Sequence, residues 1–136
     1  MKFISYKHNS ESKFGIIDNN LITDLTDKIS GAHTLKDLIF KKGISEAKKF
    51  ASANPGNLSV DEVEYLPLIP NPGKIMCVGL NYSEHVKETN RTVEENPVIF
   101  HRFPESQTAH MQSIQRPIAS DNLDFEGEME GVIGGA

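Results

Sequence analysis

Three prolines within six residues, Pro67, Pro70 and Pro72 of "LPLIPNPGK", constrain this chain more than any other feature. Each ring locks its own backbone angle and pushes the preceding residue toward an extended form. A helix or a paired central strand does not run through such a stretch, so it reads as a stiff linker. It divides the chain into residues 1–66, a Pro-rich segment at 67–73, and residues 74–136.

The two sides differ in pattern. Upstream, "KFISYK", "FGIID" and "NLITDL" are rich in β-branched or aromatic residues, and "DNN" at 18–20 has the composition of a hairpin turn. Thr34 reads as a helix N-cap, with Asp37 three residues on and Leu35, Leu38 and Ile39 at helical spacing. Gly43 is expected to end that helix, and a second is expected over "ISEAKKFASA" from Ile44, stopped by "NPGN" at 54–57. His8, His33 and the lysine pairs at 41–42 and 48–49 are scattered, as solvated residues usually are. Residues 1–66 therefore read as a small α+β accessory domain without a chemical constellation. Downstream, "KIMCV" (74–78) has a buried-strand pattern, "GLN" (79–81) a turn, and "SEHVKET" (83–89) suits a short helix. "NPVIFHRF" (96–103) reads as another strand, and residues 104–122 as a long polar loop of the kind that often binds ligands.

Composition narrows the function classes. The 136 residues are 38% hydrophobic and 24% charged, with a formal net charge of −5. That excess of acids argues against a nucleic-acid partner, which would want clustered Lys and Arg. The single cysteine, Cys77, excludes an internal disulfide and a Cys-based zinc site, and in "KIMCVGL" it reads as a small packed hydrophobe. "MKFISYKHNS" has too short an apolar core for a signal peptide. No run approaches the roughly 20 apolar residues needed to span a bilayer. A cytoplasmic protein with no membrane partner is expected.

The chemistry-bearing residues lie after the linker. In "LDFEGEMEGVIGGA" (123–136) Asp124, Glu126, Glu128 and Glu130 occupy every second position. If the segment is a strand, these acids share one face, with Glu126 and Glu128 roughly 6–7 Å apart. Acids are poor strand formers, and like charges that close repel. A divalent cation would resolve both problems, and ligation by carboxylates alone selects hard ions such as Mg²⁺, Mn²⁺ or Ca²⁺. The competing reading is a solvent-facing edge strand whose acids discourage aggregation. In "NYSEHVKE", His85 and Glu88 fall three apart on a predicted helix. There the carboxylate can orient the imidazole as a general base, or the two can form an ordinary surface pair. Arg102 follows a predicted strand and suits bidentate capture of a carboxylate, or a structural salt bridge.

Taken together, "PNPGKIMCVGLNYSEHVKET", "PVIFHRFPESQ" and "LDFEGEMEGVIG" resemble the fumarylacetoacetate hydrolase family. The resemblance is to its bacterial branch with a small N-terminal domain, which "MKFISYKHN…FGIID" also resembles. It implies an α+β fold: the accessory domain over 1–66, the linker at 67–73, then at 74–136 the first part of a catalytic mixed β-roll. It implies a metal-dependent enzyme that hydrolyses a carbon–carbon bond of acylpyruvate-type 2-oxo or 1,3-dicarbonyl acids, or carries out related chemistry. By motif position Glu126 and Glu128 correspond to metal ligands, His85 and Glu88 to the dyad on the family's lid helix, and Arg102 to a substrate-contacting basic residue. Mg²⁺, Mn²⁺ or Ca²⁺ is the implied cofactor, a small 2-oxo acid the implied partner, and a homodimer the implied full-length assembly.

The family's third carboxylate ligand, an aspartate, lies farther downstream in its pattern, and Glu130 and Gly131 stand where the family reads apolar residues. The chain is therefore expected to be truncated within the catalytic domain, with weak or lost activity. The alternative expectation is an inactive fragment serving as a binding or assembly module.

Overall fold

The computed structural model describes residues 1–88, 96–124 and 127–134, with the His85 and Glu88 side chains left aside. The chain forms two compact units: residues 1–70 together with 108–136, and residues 71–107. The fold is α+β.

The first unit is built on a five-stranded antiparallel sheet. β1 (Lys2–His8), β2 (Glu11–Asp18) and β3 (Leu21–Asp24) form two consecutive hairpins. Both hairpins turn on two residues with positive φ: Asn9 and Ser10 (50° and 65°), then Asn19 and Asn20 (48° and 64°). This mirror-image turn matches the right-handed twist of the flanking strands, and asparagine tolerates it better than most residues. Two short strands that periodicity does not reveal, β4 (Leu58–Ser59) and β5 (Glu64–Tyr65), close the sheet in the order β4-β3-β2-β1-β5.

Alternation places the two cores. Phe14 and Ile16 on one face join Leu25, Ile29, Ala32 and the helices α1 (Leu35–Phe40) and α2 (Ile44–Ala53), which contribute Leu35, Leu38, Ala47 and Ala51. Ile4, Tyr6 and Ile22 form the opposite core under Leu58, Val60, Val63 and Tyr65. Burying each large side chain contributes about 1.5–3 kcal/mol. Burial raises the Tyr6 phenol well above its ordinary pKa, and the negative charge of Asp24 adds to the shift.

α1 begins as its sequence implies. The Thr34 hydroxyl accepts from the Asp37 N–H (3.1 Å), while the Asp37 carboxylate accepts from the N–H groups of Thr34 (2.9 Å) and His33 (3.1 Å). The reciprocal pair satisfies donors that a helix start leaves open. The helix end differs from expectation: Lys42, at φ 57°, takes the left-handed position, and Gly43, at φ −81°, caps α2 instead.

The capping box makes a pH prediction. Bonding to the Thr34 hydroxyl, then to the N–H groups of His33 and Thr34, holds the Asp37 carboxyl below its usual range. A lowered folded pKa gives stability that is present above the unfolded value of about 3.9 and is lost as pH falls through the folded one. Thermal melts across this acid range are expected to show that loss. Thr34→Ala is expected to cost about 1 kcal/mol at neutral pH and to shrink the acid-side loss.

In the second unit, β6 (Ile75–Gly79) and β7 (Val98–Arg102) form an antiparallel ribbon, in register from Ile75 with Arg102 to Gly79 with Val98. The expectation of a buried strand at 74–78 is corrected. Met76 and Val78 are exposed and Cys77 is half-buried, because among the described residues this strand pairs with β7 alone. α3 (Ser83–Glu88) falls where a short helix is expected.

Candidate functional site

β6 delivers the chain to a turn at Leu80, which holds φ 55°. A left-handed conformation costs a residue with a Cβ about 1–2 kcal/mol, and strain of this kind clusters at functional positions. α3 starts immediately after, with the Val86 N–H bonded to the Tyr82 carbonyl (3.1 Å) and Val86 buried. Glu84 and Lys87 pair with each other at 3.1 Å on the exposed side. His85 and Glu88 both belong to this short helix, but their side chains lie outside what is described, so the dyad's geometry does not enter here.

Arg102 is the last residue of β7, opposite Ile75, and is exposed. Strand alternation puts it on the face of Phe100 and Val98, and sends His101 to the other face. His101 packs edge-on to Phe103, with ring centroids 5.4 Å apart. His110 does the same against Tyr65, at 5.0 Å. Both histidines thus serve as aromatic packing partners. A short 3-10 turn, Pro104–Ser106, follows Arg102 and is closed by the Ser106 N–H to the Phe103 carbonyl (2.9 Å).

The acidic segment departs from its expected form. Asp124 and residues 127–134 adopt no regular strand, and Glu128 is exposed. Alternation alone cannot make a strand; ladder hydrogen bonds need a neighbour, and Gly127 and Gly131 weaken an already acidic segment. Glu126 lies outside the described residues. As donors, the two glutamates suit a hard divalent ion. Among the described residues, however, no three His, Cys, Asp or Glu side chains gather to hold one. No helix among them is long and apolar enough to cross a membrane.

Sequence reasoning gave no role to Gln112, which the fold makes a local hub. Its Nε2 donates to the Tyr65 carbonyl (3.2 Å), and its Oε1 accepts from the Ala109 N–H (3.2 Å). A lone glutamine in a polar loop carries no pattern that could have revealed this.

Residues 74–136 match the model of the "Fumarylacetoacetate (FAA) hydrolase C-terminal" family. The oxaloacetate tautomerase Fahd2a, mitochondrial, of Rattus norvegicus is 37% identical over 91 residues, covering 67% of this chain and 29% of that protein. The human oxaloacetate tautomerase FAHD2A, mitochondrial, is 35% identical over 91 residues with the same coverage. An uncharacterized protein of Staphylococcus aureus (strain USA300) is 28% identical across 98% of this chain and 51% of its own length. The chain thus spans under a third of the first two relatives. A crystal structure of a protein named as HpcE from Mycobacterium smegmatis superposes with a TM-score of 0.64 at 20% identity, over 86% of this chain and 41% of that one, which speaks to the fold. The motif-bearing half, the tautomerase relatives and the shared fold agree: this chain belongs to the fumarylacetoacetate hydrolase family.

Proposed function

We propose that the chain carries part of the site of a divalent-metal-dependent enzyme acting on small 2-oxo acids, and that its reaction is C–C cleavage of acylpyruvate-type substrates. The observation that carries this reading is that "GLNYSEH", "IFHRF" and "DFEGE" all lie within the stretch matched to the family, which is one of metal-dependent hydrolases and isomerases. Residues 1–66 act as the accessory domain, 67–73 as the linker and 74–136 as the first part of the catalytic domain.

Glu126 and Glu128 would hold Mg²⁺, Mn²⁺ or Ca²⁺, which when bound supplies Lewis-acid polarisation of the 2-oxo acid's oxygens. Arg102 pairs with the substrate carboxylate through its planar fork of N–H donors. His85, oriented by Glu88, takes a proton from water, and the resulting hydroxide adds to the carbonyl distal to the carboxylate. The bond between that carbonyl carbon and the methylene then breaks. Its electron pair leaves as an enolate, which takes up the proton held on His85. One water and one acylpyruvate thus give one carboxylic acid and one pyruvate.

A second reading has a specific basis in the relatives named as oxaloacetate tautomerases. In it His85 moves a proton between the methylene carbon and the adjacent carbonyl oxygen of oxaloacetate, and no water is consumed. Both readings need the same enolate stabilisation.

The test offers the purified chain an acylpyruvate and, separately, enol oxaloacetate, with Mg²⁺ or Mn²⁺ and with chelator. Carboxylic-acid release identifies cleavage, and loss of enol absorbance without it identifies tautomerisation. His85→Ala is expected to lower the rate about a hundredfold or more. Glu128→Gln is expected to raise the metal concentration required about tenfold. A chain that converts neither compound with metal present overturns the proposal.

A further inference from the structure

A cavity of about 490 Å³ opens on the first unit, on the side of the sheet that carries Ile4, Tyr6 and Ile22. Every residue that lines it belongs to that unit. Its floor follows from the strand register. Lys2 lies opposite Ile17 in the β1–β2 ladder, and alternation puts Lys2, Ile4 and Ile17 on one face. Val60, which opens the 3-10 turn Val60–Glu62, and Tyr65 on β5 form the walls, and His110 adds to them.

Hydrogen bonds and ring packing hold these walls in place. The Val60 N–H bonds the Asn20 carbonyl (3.1 Å), and the Leu66 N–H bonds the Ser5 carbonyl (3.0 Å). The Ser5 hydroxyl donates to the Leu68 carbonyl at 2.7 Å. The His110 ring meets Tyr65 edge-on, with centroids 5.0 Å apart. The cavity is thus preformed, and its size falls within the range of about 300–1,000 Å³ usual for small-molecule sites.

Two properties define the occupant. Ile17, Val60 and Tyr65 pack against the core but are only partly buried, so an apolar body seated on them would remove further surface from water. The second property is charge. The chain has a net charge of −5, yet Lys2 lines the cavity and, among the described residues, no Asp or Glu does. Lys2 is exposed, which lets its stem lie along apolar surface while the ammonium stays at the mouth. We propose that this cavity binds a small organic carboxylate with an apolar body: the body covers Ile17, Val60 and Tyr65, and the carboxylate pairs with the Lys2 ammonium. Such binding needs no divalent ion and none of His85, Arg102, Glu126 or Glu128, so it stands apart from the reaction proposed above.

Octanoate, titrated into the full chain with EDTA present and followed by amide NMR, tests this. Shifts are expected at Ile4, Ile17 and Tyr65, with a Kd of about 0.1–1 mM. Octanol lacks the charge and acetate lacks the body, and each is expected to bind about tenfold more weakly. Lys2→Met keeps an apolar stem without the ammonium and is expected to weaken octanoate by about the same factor. Val60→Phe adds bulk to the wall and should abolish the shifts. Unchanged hydrogen exchange at Phe14 and Leu38, in the core on the other face, shows that such a variant still folds. If it does not fold, Lys2→Met decides. Absence of octanoate shifts at these positions overturns the proposal, as does octanol binding as tightly as octanoate or unchanged affinity in Lys2→Met.

Discussion

Phe14→Ala is expected to lower the stability of the first unit by about 3–5 kcal/mol, a large share of what a unit of this size has. Phe14 lies in the middle of β2 and is only 1% exposed. It packs in the cluster that joins the sheet to α1 and α2 through Leu25, Leu35, Leu38 and Ala47. Its backbone carbonyl also accepts from the Leu25 N–H at 2.9 Å, so the surrounding chain cannot simply collapse into the space left. Urea unfolding followed by circular dichroism measures the loss. Phe40, which ends α1 and is 69% exposed, supplies the control: Phe40→Ala should change stability by less than about 0.5 kcal/mol. Equal effects at the two positions would mean that the core has been drawn on the wrong face.

Gly56→Ala is expected to be the most damaging of the small substitutions. A Cβ at this position would lie 2.1 Å from the Ile22 carbonyl oxygen, 2.2 Å from its carbon and 2.5 Å from the Thr23 nitrogen. All three are backbone atoms of β3, so no side chain can swing aside. The Thr23 hydroxyl, bonded to the Asn54 carbonyl at 3.1 Å, holds the two segments together at the same place. One methyl group is therefore expected to cost about 3 kcal/mol through forced backbone movement. Gly73→Ala, where nothing lies within 4 Å, should be nearly neutral. Comparing the two variants by thermal melts checks whether close approach is what demands glycine at position 56.

The two glycines also mark where sequence reading stops. "NPGN" was legible as a helix stop, since proline cannot continue a helix and glycine and asparagine favour turns. Nothing in those four letters says that β3 passes within contact of Gly56. The same division holds at the helix boundary. The Thr34–Asp37 box was visible from its spacing, whereas the choice of Lys42 over Gly43 for the left-handed position depended on how α1 meets α2. Gly43 has another constraint: a Cβ there would sit 2.8 Å from the Leu38 side chain.

The candidate site divides along similar lines. Its residue types and spacings, from His85 and Glu88 through Arg102 to Glu128, were legible because motif order is a property of the chain. Whether acids at every second position face one another was not. That depends on strand partners, and residues 127–134 have none among the described residues. His101 and His110 could not be assigned from sequence. A histidine's role follows from its neighbours, and here Phe103 and Tyr65 come from the fold.

The sequence by itself determined the hairpin turn at 18–20, the capped first helix and the family to which the chain belongs. These rest on local dihedral preference, short-range hydrogen bonding and motif order, all written in neighbouring residues. Only the tertiary structure decided the short edge strands, the pinning of Gln112 to Tyr65, the backbone contact at Gly56 and the exposure of the β6–β7 ribbon. Each of these is a meeting of segments distant in the chain or the lack of one, and burial and ladder pairing exist only once those segments are brought together.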